Sequence, residues 1–158
     1  MTSGWRYRVA SVVGAIVVTS WAVTLANHPY VQHASMVIPV FNRLTPTSLS
    51  NGPLEVALAT TLVIVLVAMF PLFKPRPRRI LDTISLTVQR VLMAMVALAA
   101  IGYFDYTYRL PRTTLILATV VMGVVMPTWF AGIRRRPTDE HRRAIIVGDD
   151  PEAMATIL

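Results

Sequence analysis

LEVALATTLVIVLVAMFPLF, residues 54–73, holds a single ionisable side chain, Glu55, in twenty positions. A helix of that length rises about 30 Å, the thickness of a bilayer's hydrocarbon core, and closes its backbone hydrogen bonds internally. Three further runs match it, at 9–26, 86–104 and 113–133, with lengths between 18 and 21 residues. The pattern predicts an all-α membrane fold with four transmembrane helices. Composition agrees: 54% of residues are hydrophobic and the mean hydropathy is +0.57, against roughly 45–50% apolar usage in soluble domains.

The net charge of +7 on 158 residues invites a nucleic-acid reading, and the placement of the charges argues against it. Eleven of the fifteen Lys and Arg residues lie before the first run, in 74–79 and in 134–143; three lie in the other two loops, and Arg90 is inside the third run. Short basic clusters between apolar runs are topology signals facing anionic lipid. The split predicts a multi-pass protein of the plasma membrane with both termini and the 74–85 loop in the cytoplasm. The first run has a competing reading as a signal peptide cleaved after Thr24-Leu25-Ala26. Its 18 apolar residues exceed the 7–15 usual for a signal core, which favours a retained anchor.

The chain has no cysteine, so disulfides, thiolate metal sites and cysteine nucleophiles are excluded. His28 and His33 are five apart, off a common helical face and without a third ligand, so a zinc site is not expected. Trp5 and Tyr7, Tyr103, Phe104, Tyr106 and Tyr108, and Trp129 and Phe130 read as interface anchors at the ends of spans. Residues 34–41, ASMVIPVF, are too short to cross and read as an interfacial segment. Of the charges within spans, Glu55 lies at an outer end. Arg90, four residues into its run, is about 6 Å deep and able to snorkel. Thr119, Gly123 and Pro127, four apart in the last run, form a small-residue stripe for close helix packing, with Pro127 kinking the span. No catalytic residue and no cofactor site emerges. The candidate contacts for anionic lipid are Lys74, Arg76, Arg78 and Arg79, where Pro75 and Pro77 keep the cations splayed.

After a basic linker at 134–143, residues 144–147 (AIIV) read as a buried parallel strand. Gly148 allows a turn, Asp150 an N-cap, Pro151 the first helical position and Glu152 a dipole partner. Residues 144–158 thus read as the first strand-turn-helix of a truncated Rossmann-like α/β domain. The dinucleotide fingerprint is not met, since Asp150 and Ala153 stand where its second and third glycines belong.

Four spans, a basic linker and an IIVG strand together resemble the N-terminal membrane region of the large polyprenyl-phosphate sugar-phosphate transferases. The resemblance covers the whole chain, through architecture and one short motif. It implies a parent that moves a sugar phosphate from a nucleotide sugar to polyprenyl phosphate, initiating exopolysaccharide or other surface glycan assembly. It also implies magnesium and an acidic pair in a catalytic domain beyond this chain. This region is then an anchor and scaffold, with lipid bilayer and anionic lipid or polyprenyl phosphate as partners, and a homo-oligomer is compatible. The rival readings are a membrane-sensing or dimerising input module of a signalling protein, and a free-standing membrane subunit.

Overall fold

The computed structural model describes residues 3–39, 47–74, 79–104 and 110–134. The described residues form four long helices and one short one: α1 (Ser3–Asn27), α2 (Pro29–Ser35), α3 (Asn51–Met69, continued by a 3₁₀ turn over Phe70–Leu72), α4 (Ile80–Phe104) and α5 (Arg112–Arg134). The four long helices are each long and apolar enough to cross a membrane, and the described residues contain no strand. The chain is a multi-pass helical membrane protein. The expected strand-turn-helix at 144–158 lies outside the described residues.

The helices form an up-down-up-down bundle. α1 packs on α3 and α5, and α4 packs on α3 and α5, which closes a ring of four. The core is filled by Met69, Met122, Met126, Phe130, Val23, Val65 and Val91. Unbranched methionines suit the irregular gaps of such a bundle. α1 faces them with small residues: Ser11, Ala15, Ala22 and Ala26 are buried at helical spacing, and Gly14 is buried beside them. In lipid, where apolar helices gain little from hydrophobic burial, small residues let backbones approach and dispersion contacts accumulate. Of the stripe expected on the last span, Pro127 is buried and Thr119 and Gly123 are partly buried, but the closest helix approach is elsewhere. A Cβ at Gly123 would meet nothing within 4 Å, whereas one at Gly14 would fall inside the Trp129 ring.

Proline chemistry shapes the far end, away from the basic clusters. His28 precedes Pro29 and takes an extended conformation (φ −69°, ψ 130°), which ends α1. Pro29 then opens α2, where its fixed φ suits the first helical turn. Of the 34–41 segment expected at the interface, 34–39 are described, and they divide between the end of α2 and a turn; Val37 and Ile38 are exposed. α5 continues through Pro127 to Arg134, and Thr128 and Thr119 bond back to the carbonyls of Val124 (2.7 Å) and Leu115 (2.6 Å).

Candidate functional site

At the basic end, one hydrogen-bonded chain joins all four long helices. The Tyr7 hydroxyl on α1 donates to the carbonyl of Leu72, at the end of α3, at 3.0 Å. Arg134, the last residue of α5, donates from Nε to the same hydroxyl at 3.1 Å and from Nη1 to Thr83 Oγ1 of α4 at 2.8 Å. Thr83 Oγ1 donates in turn to the Arg79 carbonyl at 3.2 Å. The Arg134 guanidinium also stands 5.6 Å from the Tyr7 ring centre, within cation–π range. A planar guanidinium with five donors can bridge three helices in this way, which an ammonium on a flexible stem cannot do as rigidly. Tyr7, expected only as an interface anchor, is therefore a structural tie. Trp129 is another: its indole N–H donates to the Ala10 carbonyl at 3.3 Å.

The far end is closed by amides. Asn27 mimics a backbone pair with Leu49, donating from Nδ2 to its carbonyl (3.1 Å) and accepting from its N–H (2.9 Å). Gln32 of α2 is 1% exposed. The two N–H groups of its Nε2 donate to the Thr47 carbonyl (2.9 Å) and to Thr114 Oγ1 of α5 (3.0 Å), with the Ala26 carbonyl sharing a donor at a longer 3.4 Å. Ser35 Oγ donates to the Gln32 carbonyl at 2.7 Å. This cluster is a satisfied plug, because its donors are spent on the chain itself. His28 and His33 are exposed; His28 stacks on Tyr30 at 5.5 Å. Among the described residues no group of three His, Cys, Asp or Glu is placed to hold a metal ion.

Of the four cations singled out for anionic lipid, Lys74 and Arg79 are described, and both are exposed at the basic end. Lys74 Nζ stands 5.7 Å from the Phe70 ring centre. Arg76 and Arg78 lie outside the described residues. Glu55 is exposed in the first turns of α3, at the far end from this cluster. Arg90 is deeper in its helix than its position in the apolar run suggested. α4 begins at Ile80, so Arg90 is ten residues in, and its Nε is buried without a hydrogen-bond partner. A shallow apolar furrow runs along the outside of α5, lined by Gly123, Val124, Thr128 and Gly132, with Ile84 and Val88 of α4 as one wall.

The chain matches no protein family, no curated protein and no solved structure.

Proposed function

We propose that the chain is the membrane anchor and scaffold of a glycosyl-1-phosphate transferase that moves a sugar phosphate from a nucleotide sugar to polyprenyl phosphate, initiating surface glycan or exopolysaccharide assembly. It would lie in the plasma membrane with both termini in the cytoplasm. The observation that carries the reading is the tie at the basic end. Arg134 is fixed to α1 and α4, and the sequence passes from it into the 134–143 linker and the AIIV run. Arg134 is held at a defined point of the bundle, at the end that carries Lys74 and Arg79. Anchored there, Lys74, Arg76, Arg78 and Arg79 hold anionic lipid or the phosphate of the polyprenyl carrier beside the linker, each cation contributing about 1 kcal/mol at an anionic leaflet. Magnesium and the acidic pair belong to the transferase's catalytic domain in this reading. The test is disruption of the gene in its own cell. Membranes are then incubated with labelled nucleotide sugars and polyprenyl phosphate. The reading predicts loss of one lipid-linked sugar phosphate, restored by the intact gene; an unchanged set of products contradicts it.

A further inference from the structure

The hydrogen bonds at the basic end set a common level for the four helices, at Tyr7, Leu72, Thr83 and Arg134. About 9 Å along each helix from that level, at 1.5 Å per residue, the outer surface carries no charge or amide on three of them, where Val13 on α1, Val67 on α3 and Thr128 and Trp129 on α5 are exposed. On α4 it stays polar. Asp82, Ser85 and Gln89 follow one another on the outer face, all exposed, and Arg90 comes next, partly exposed with Nε buried and unpartnered. The polar surface therefore dips two turns deeper on α4 than on its neighbours. Arg90 is turned about 200° from Val88 on a helix of 3.6 residues per turn. Val88 lines the furrow shared with α5, so Arg90 lies on the flank toward α3.

A cation and an amide at that depth are costly unless something polar reaches them. Side chains on a helix lean toward its N-terminus, so the basic level is the direction in which the Arg90 guanidinium can snorkel. Lys74 and Arg79 are exposed at that level, against the single carboxylate of Asp82 on the same face. We propose that the notch on α4 formed by Arg90, Gln89 and Ser85 is a docking site for the phosphate of an anionic phospholipid, whose acyl chains lie along the apolar outer faces of α3 and α4. Charge selects this occupant. A second copy packed on the same face would set three cations against three, with one carboxylate each in compensation. A lipid phosphate instead accepts from the exposed edge of the partly buried Arg90 guanidinium and from the Gln89 amide, and Asp82 repels it toward the α3 side. Lys74 and Arg79 draw the headgroup in. The inference does not depend on the transferase reading, since any role in a membrane leaves the notch facing lipid.

The test reads the Arg90 Nε–H itself. Arginine ¹⁵Nε–¹H spectra of the detergent-solubilised chain give one signal per ordered Nε, and the Arg90 signal is the one lost in Arg90→Lys. Titration with short-chain phosphatidic acid should shift that signal downfield and saturate, while phosphatidylcholine and inorganic phosphate leave it in place. Arg90→Gln should weaken saturable phosphatidic acid binding, followed by native mass spectrometry, roughly tenfold, the loss expected for one charge-assisted hydrogen bond. Arg90→Lys should keep part of it. A signal that does not move with phosphatidic acid overturns the proposal, as does an equal shift with phosphatidylcholine. A shift with inorganic phosphate alone would make this a water-accessible anion pocket instead. A shift that follows protein concentration without lipid would make the occupant a second copy.

Discussion

The indole of Trp129 fills the space that a side chain at Gly14 would need. A Cβ built on Gly14 falls within the ring, against Nε1 and Cε2, and the same indole N–H donates to Ala10 one turn away. The basic half of α5 is thereby pressed onto the backbone of α1. Gly14→Ala must push the ring out and break its bond to Ala10, a strain of about 1–3 kcal/mol. We expect a lower thermal midpoint in detergent for Gly14→Ala, and a smaller further loss when the same change is made on Trp129→Ala. Equal losses in both backgrounds would mean that the ring does not lie on Gly14.

The Tyr7–Arg134–Thr83 chain should behave as one unit. Tyr7→Phe removes the hydroxyl that accepts from Arg134 and donates to Leu72, and Thr83→Val removes another acceptor of Arg134. Hydrogen bonds to charged groups contribute about 1.5–3 kcal/mol. Each single change should destabilise the bundle by roughly that amount. A double-mutant cycle of Tyr7→Phe with Arg134→Gln should give a coupling of about 0.5–3 kcal/mol. Additive losses, measured by chemical denaturation in micelles, would show that the two side chains act independently.

Gln32 governs the far-end closure. Gln32→Leu removes the amide that donates to Thr114 Oγ1, to the Thr47 carbonyl and, at longer range, to the Ala26 carbonyl, at a cost of about 1–3 kcal/mol for loss of the buried Gln32–Thr114 bond. Gln32→Glu should be worse, because an ionised carboxylate has only acceptors to offer the same carbonyls. Limited proteolysis is the readout: cleavage between residues 27 and 50 should rise in the order wild type, Leu, Glu, while the four spans stay protected. An equal rate in all three proteins would show that Gln32 does not hold the loop.

Hydropathy made the four spans legible because a bilayer demands about twenty apolar residues and internal backbone bonding. It placed the ends less well. α4 starts at Ile80 and not near Leu86, since Asp82, Ser85 and Gln89 lower the apolar score of two turns that are still helical. That shortfall also hid the depth of Arg90. α2 escaped notice because seven residues carry too little periodicity, although Pro29 after a histidine was a usable start signal. The ties were illegible for another reason: Gln32 and Thr114 are 82 positions apart, and Trp129 and Ala10 are 119 apart. Composition marked Tyr7 and Trp129 as interface aromatics, but the partners of their polar atoms depend on the order of the helices around the ring. The cations Lys74 and Arg79 were found from their clustering alone.

The four-span arrangement, with Arg6, Arg8, Lys74, Arg79 and Arg134 at one end of the bundle, is most directly tested by reagent access in intact cells. The chain has no cysteine, so single substitutions are free of background. Val40→Cys and Tyr108→Cys should react with a membrane-impermeant maleimide added outside. Arg78→Cys and Leu158→Cys should react only after the cells are opened. Labelling of position 108 only in opened cells, with position 40 labelled from outside, would contradict the four-span bundle and its orientation together.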